Sequence, residues 1–214
     1  MTRLLYVVGQ LRAGGQERQL IYLLGAMDRE RYRPAVVVWH FLEDDLNVAK
    51  LRALDVPIHA FSPGMRRVAK LFRLRQLVEE NRVEVVHSYS FYTNVAVYVA
   101  SRGTPAVAVG SVRNSLAFSL AELGPTMGRL CAALPRHQIY NSAAAVAETR
   151  RPPLLLVPPQ VHLVRNALDL SRFAPTAPPS GRPRIVAIGS LLPQKRWDRL
   201  LEAAASLRQR GLDF

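Results

Sequence analysis

Short, wholly apolar runs alternate along the chain with stretches in which apolar residues recur every three or four positions. This alternation predicts repeated β-α units around a parallel sheet. Leu4-Leu5-Tyr6-Val7-Val8 is continuously apolar, as a strand covered on both faces must be. Glycines follow at positions 9, 14 and 15, and Leu20, Leu23, Leu24 and Met27 then mark one face of a helix. Further strands are expected over residues 35–39, 56–61, 83–87, 106–109, 138–140 and 161–164, with helices over 65–81, 91–102 and 116–133.

Residues 174–184 read APTAPPSGRPR, the composition of a linker, because proline withholds a hydrogen-bond donor and glycine loosens the chain. A second proline-rich stretch, RRPPLLLVPPQ at 150–160, is expected to be an irregular loop inside the first domain. After the linker the βα pattern restarts. A strand is expected over 184–188, and Trp197, Leu200, Leu201, Ala204 and Leu207 mark a helix with one apolar face. One strand and one helix cannot bury both faces of a parallel sheet, so residues 184–214 are expected to be the start of an incomplete domain. The predicted organisation is a Rossmann-like α/β domain over 1–173 with helices on both faces of a parallel sheet, a linker over 174–183, and a truncated second Rossmann-like domain over 184–214.

Composition narrows the function classes. Apolar residues make up 49% and charged residues 21% of the 214, which excludes a disordered chain. No run reaches the ~18 apolar residues of a membrane span, and the first apolar run ends at Gly9, too soon for a secretory signal. The single cysteine, Cys131, rules out a disulfide framework within the chain and suits a reducing cytosol. The net charge of +13 favours partners that carry phosphate. The excess is almost entirely arginine, with Lys50, Lys70 and Lys195 the only lysines, and it is spread through the chain, as genome composition alone would also give. Zinc-ligand spacing, RNA-binding signatures and a basic tail are all missing from the sequence, so nucleic acid is not an expected partner.

The loop Gly9-Gln10-Leu11-Arg12-Ala13-Gly14-Gly15 between the first strand and helix is the first candidate for chemistry. Its glycines let a ligand approach the backbone, and the helix start offers free N–H groups and a positive dipole end. A dinucleotide fingerprint would need G-x-G-x-x-G and an acid after the second strand; that strand ends in Trp39-His40 instead. A plain tight turn would also use paired glycines.

VVGQLRAGGQERQLIYLL at 7–24 resembles the opening of family 4 glycosyltransferases of the GT-B fold. Four further segments are similar to that family in order and spacing: VEVVHSYSFYTNVAV at 83–97, IYNSAAAVAE at 139–148, VHLVRNALDLSRFAP at 161–175 and IVAIGSLLPQKRWDRLLEAAASL at 185–207. The resemblance implies that the first domain binds an acceptor, that the second binds a nucleotide sugar, and that transfer occurs between them with retention of configuration. It puts Gly14 and Gly15 on the floor of the cleft, Gln16 at the adjacent helix start, and His87 at a strand end facing the cleft. Ser190 and Lys195 fall at the donor diphosphate, where a fixed cation would stabilise the leaving group. His40, His59, His137 and His162 are expected to be structural, and a histidine such as His87 after an apolar strand is often no more than that. No metal or other cofactor is implied.

Two positions depart from the family pattern. Where some members place a sugar-contacting histidine after the fifth strand, this chain has Arg113, which can bind phosphate or a carboxylate but cannot act as a base at neutral pH. The family's G-R-L before the lysine is here Gly189-Ser190-Leu191, which leaves a hydrogen-bond donor without charge. The acidic pair that grips the donor sugar would fall beyond Phe214, so these 214 residues alone are expected to be inactive. A sugar-nucleotide epimerase or phosphorylase of the same fold, and a non-catalytic acceptor- or membrane-binding module, are the alternatives.

The predicted helix over 65–81 adds a membrane question. Arg66, Arg67, Lys70, Arg73 and Arg75 sit on a segment whose Val68, Leu71, Phe72, Leu74 and Val78 form an apolar side. Such a helix can lie on an anionic membrane, suiting a cytoplasmic enzyme of polysaccharide biosynthesis at the inner face with a cell-envelope or lipid-linked acceptor. A helix packed on the sheet with a solvated basic face fits the same sequence.

Overall fold

The computed structural model describes residues 1–149, 160–174, 181–191 and 193–214. It divides into two compact units, Met1–Leu168 and Asp169–Phe214. Of the proline-rich stretch 150–160 only Gln160 is described, and most of the expected linker lies outside the described residues.

The first unit is built on seven parallel strands: β1 (Thr2–Val8), β2 (Tyr32–Val38), β3 (Ile58–Ala60), β4 (Val85–Ser88), β5 (Val107–Val112), β6 (His137–Tyr140) and β7 (Gln160–Leu163). Their order across the sheet is β3-β2-β1-β4-β5-β6-β7. The winding runs outward from β1 to β3, then restarts at β4 on the other side of β1. The reversal lies between β1 and β4, where Leu4 to Val7 pair with Val85 to Ser88. In sheets of this kind the connections diverge at that point and leave a crevice at the carboxyl ends of the strands.

Both faces of the sheet are covered, which is why its strands read as unbroken apolar runs. On one face, Leu5, Val7 and Val86 pack with Leu74, Leu77 and Val78 of α3 (Arg67–Glu80) and Ala96, Val97 and Ala100 of α4 (Asn94–Ser101). On the other, Tyr6, Val8, Val36 and Val38 pack with Leu20 and Leu24 of α1 (Gly15–Gly25) and Val48 and Leu51 of α2 (Leu46–Ala53). A third cluster joins Val112 and Tyr140 to Leu116 of α5 (Leu116–Leu123), Ala132 of α6 (Pro125–Ala133) and Ala145 of α7 (Ala143–Glu148).

Several elements differ from the pattern-based expectation for local reasons. The single helix expected over 116–133 is two, because Gly124 takes φ of +75° and Pro125 opens the next helix at a position where its missing N–H costs nothing. The helix expected from residue 91 begins with a 3₁₀ turn, Phe91–Thr93, before α4. β2 starts at Tyr32, ahead of the expected 35, and so includes Pro34. Pro34 pairs with Leu4 on the β1 side, while β3 reaches only Val36 to Val38, so no neighbouring strand lacks a donor. The helices α2 and α7, eight and six residues long, were not expected.

In the second unit, 3₁₀ turns span Leu170–Arg172 and Pro193–Lys195, and α8 spans Trp197–Gln209. The strand expected over 184–188 does not form. A strand needs a neighbour for its backbone donors and acceptors, and none is described beside it, so Val186, Ile188 and Leu191 are 79%, 96% and 90% exposed.

One buried amide ties β5, α4 and α6 together. Asn94 accepts from Ser111 N–H at 3.0 Å and donates to the carbonyls of Ser111 at 3.3 Å and Cys131 at 2.9 Å. Gly110 makes room for it, since a Cβ there would sit 3.0 Å from Asn94 Nδ2 and 2.8 Å from Pro135 Cδ. Replacing Asn94 by Ala orphans the buried Ser111 N–H. We expect a loss of about 1–3 kcal/mol for that group, read as a lower urea midpoint with unchanged slope.

Candidate functional site

The carboxyl ends of β1 and β4 carry the predicted glycine loop and the segment Ser88-Tyr89-Ser90. Tyr89 N–H donates to Val7 O at 2.8 Å, extending the strand pairing. Ser90 Oγ then accepts from Gly9 N–H at 2.9 Å and from the Gln16 side-chain amide at 2.6 Å. One hydroxyl thus fixes the start of the loop and a residue in the first turn of α1. Ser90 is held in turn, its carbonyl accepting from the hydroxyls of Ser88 and Thr93, both at 2.8 Å. The Tyr92 hydroxyl end occupies the space a Cβ at Gly9 would take, so a side chain there would have to displace that ring.

The far side of the loop is pinned by the start of α2. Asp45 accepts from Leu11 N–H at 3.1 Å and lies 3.7 Å from Arg12 Nε, while Asn47 donates to Arg12 O at 2.7 Å. Gly14 is the N-cap of α1 in extended conformation, and Glu17 follows in the first turn. Glu17 is buried, and a Cβ at Gly14 would run into its carboxylate. Burial raises the Glu17 pKa, with the nearby charge of Asp45 adding to the effect. At Gly15 an added Cβ would meet nothing within 4 Å. The two glycines therefore differ: the Glu17 carboxylate fills the space beside Gly14, and Gly15 faces open space.

His87 lies within β4. It is 8% exposed, its Nε2 is 2.9 Å from Ser111 Oγ, and its ring packs against those of Tyr6 and Tyr89 at centroid distances of 5.3 and 5.5 Å, the two tyrosine rings being 6.0 Å from each other. Burial, assisted by the charge of Arg113, holds its pKa down to about 3, so the ring is neutral at physiological pH. Arg113 follows β5 directly. Its guanidinium carbon is 3.6 Å above the Tyr89 ring centroid, and its Nε is buried without a hydrogen-bond partner among the described residues. The sheet thus brings Gln16, His87 and Arg113 together with Tyr89 and Ser90 around the ends of β1, β4 and β5.

Ser190 and Lys195 belong to the second unit. Ser190 O accepts from Trp197 Nε1 at 2.8 Å, and the Lys195 Cγ and Cδ atoms lie 3.8 Å from where a Cβ on Gly189 would stand. Both side chains are exposed. Just after them, Arg196 adopts φ of +52° and its guanidinium binds the Asp198 carboxylate in the first turn of α8. A groove lined by Met1, Tyr32, Arg33 and Pro57 lies at the opposite ends of the strands and includes none of the predicted residues.

Pattern reading singled out none of Ser90, Asp45, Glu17, Asn94 or Tyr89 as a site residue. The available signal was the density of small polar residues in Ser88-Tyr89-Ser90-Phe91-Tyr92-Thr93-Asn94, unusual after an apolar strand.

An all-parallel sheet wound in this order, with a glycine loop at its reversal, defines a Rossmann-like domain, and comparison with known proteins makes the class specific. The chain matches the glycosyl transferase 4-like domain over residues 14–152 and belongs to that family. Solved structures share the fold at low identity. HepE of Anabaena in complex with UDP-glucose superposes with a TM-score of 0.63 at 17% identity, covering 80% of this chain and 45% of that one. The lipopolysaccharide outer core galactosyltransferase WaaB gives a TM-score of 0.63 at 11% identity, covering 79% and 47%. A glycosyltransferase of Rickettsia africae gives 0.56 at 12%, covering 80% and 45%. The chain thus spans about half the length of these proteins. No curated protein matches its sequence.

The depressed His87 pKa has a definite sign. Between the ordinary imidazole value and about 3, the unfolded chain binds a proton that the folded chain refuses, so stability present above the ordinary value is lost as pH falls. We expect a slope approaching one proton, about 1.4 kcal/mol per pH unit, in urea titrations across that window. The slope should flatten in His87→Gln.

Proposed function

We propose that this chain forms the acceptor-side wall of a retaining glycosyltransferase that uses a nucleoside-diphosphate sugar. The observation that carries the reading is the open space over Gly15, at a loop fixed by Ser90, Gln16 and Asp45 where the sheet winding reverses. Family membership supports it, as does the binding of UDP-glucose by the similarly folded HepE. Gly14, Gly15 and Gln16 line the floor. The backbone N–H groups at the start of α1 can meet an anionic or hydroxyl oxygen, and Glu17 can accept from a sugar hydroxyl. His87, neutral and bonded to Ser111, serves by holding Tyr89 and the strand ends in place beside the sugar. Ser190 and Lys195 act on the donor diphosphate, the lysine stabilising charge on the leaving group. With the donor wall represented only by residues 184–214, binding without turnover is the expected behaviour of these 214 residues.

A panel of nucleoside-diphosphate sugars examined by saturation-transfer NMR tests this. Sugar protons should receive saturation from the wild-type chain and at least tenfold less from Gly15→Val, a substitution the fold has room to accept. Absence of transfer across the panel would sink the reading, and steady product formation by the 214 residues would overturn the division between the two walls.

The acceptor is proposed to be cell-envelope or lipid-linked, reached through peripheral contact with an anionic membrane by α3. A specific feature favours this. Leu71, Leu74 and Val78 turn to the sheet, whereas Phe72 and Val68, one turn apart, remain 66% and 63% exposed. Arg73 and Arg75 are paired with Glu80 and Glu79, but Arg66 and Arg67, beside the exposed pair, have no such partner among the described residues. No helix among the described residues is long and apolar enough to cross a membrane, so any attachment by α3 is to the surface. The chain should co-sediment with phosphatidylglycerol vesicles at low salt and be released by salt or by Phe72→Glu. Failure to pellet at low salt removes the membrane contact.

A further inference from the structure

Arg113 is a charge without a counter-ion. Its guanidinium carbon lies 3.6 Å over the ring of Tyr89, itself 2% exposed, and its Nε is buried with no partner among the described residues. Among the described residues no carboxylate comes within 4 Å of it, and the residues outside that set, 150–159, 175–180 and 192, contain no Asp or Glu. The groups around it supply no negative charge. His87 is neutral, and burial pushes the Tyr6 and Tyr89 hydroxyls up, away from ionisation. Glu17 and Asp45 lie at the glycine loop, where Asp45 accepts from Leu11 N–H and lies 3.7 Å from Arg12 Nε.

A partly buried cation of this kind is costly unless something pairs with it. Stacking on Tyr89 offsets part of that cost and does something further. With one face covered by the ring, the donors of the planar fork remain in the plane, the arrangement that grips a carboxylate or phosphoryl group through two parallel hydrogen bonds. The position is set from both sides. Asn141 Nδ2 holds the Arg113 carbonyl at 3.1 Å, and Tyr89 is hydrogen-bonded to Val7 next to the residue that fixes Gly9.

We propose that Arg113, seated on Tyr89, binds an anionic group of the ligand, so that the molecule filling these strand ends carries a phosphoryl or carboxylate group there. The inference rests on reading the strand ends as a ligand site. Two sources share this chemistry, the diphosphate of the donor and an acidic group on the acceptor.

The test follows the Nε–Hε signal of Arg113 by ¹⁵N NMR in the full 214-residue chain, assigned by its loss in Arg113→Gln. Inorganic phosphate should move this signal saturably and compete with chloride. Arg113→Lys, which keeps the charge but loses the fork and the stack, should bind phosphate at least tenfold more weakly while its far-UV circular dichroism is unchanged. If UDP moves the same signal and displaces phosphate, the anion is the donor's; if glucuronate does so and UDP does not, it is the acceptor's. A shift that fails to saturate, or that is shared evenly among surface arginines, overturns the proposal. Saturable binding at Arg113 together with no saturation transfer from any nucleotide sugar would instead retain the anion site and reject the glycosyltransferase reading.

Discussion

The pairing of β1 with β4 is the contact on which the rest of this protein depends. It joins two halves of the sheet that wind in opposite directions, and it is carried past the last strand residues by Tyr89 N–H on Val7 O and by Ser90 Oγ beneath Gly9 N–H. These hydrogen bonds are buried, so their register is enforced by the cost of leaving any of them unmade. Because the connections diverge here, the glycine loop and the segment after β4 share one edge of an otherwise covered sheet. The site is therefore a consequence of topology before it is a matter of side-chain identity.

That edge is electrostatically divided. Around the loop, Glu17 and Asp45 bring negative charge close to the start of α1, offsetting part of the attraction its free N–H groups would hold for phosphate. Around the end of β5, Arg113 brings positive charge with no carboxylate partner among the described residues. Between them stand neutral His87 and the ring of Tyr89. A ligand with hydroxyls at one end and an anion at the other matches this division better than one that is anionic throughout.

Much of the fold was legible in the chain because continuous apolar strands and amphipathic helices are what a sheet buried on both faces requires. All seven strands of the first unit fall on or beside the predicted runs. The misses share a physical cause. α2 and α7 are too short to display a helical period, and the break between α5 and α6 rests on two residues, Gly124 and Pro125, inside an otherwise continuous apolar pattern. The apolar sequence at 184–188 reads as a strand, yet a strand is a property of a pair, and no partner is described beside it. At the site, the sequence pointed to Gly14, Gly15, Gln16, His87 and Arg113. It could not rank them, since a glycine beside a neighbouring carboxylate and one facing open space look the same in a sequence.

By itself, then, the chain determined the α/β class, the order of its elements and the family it resembles, because hydrophobic period and loop composition are local properties. Only the tertiary structure decided what those residues touch. It set Ser90, an unremarked serine, under both Gly9 and Gln16, enclosed His87 against Ser111, and laid Arg113 on Tyr89 with its charge unanswered. Each of those facts depends on residues far apart in the chain meeting at one sheet edge, and no local pattern records which of them will meet.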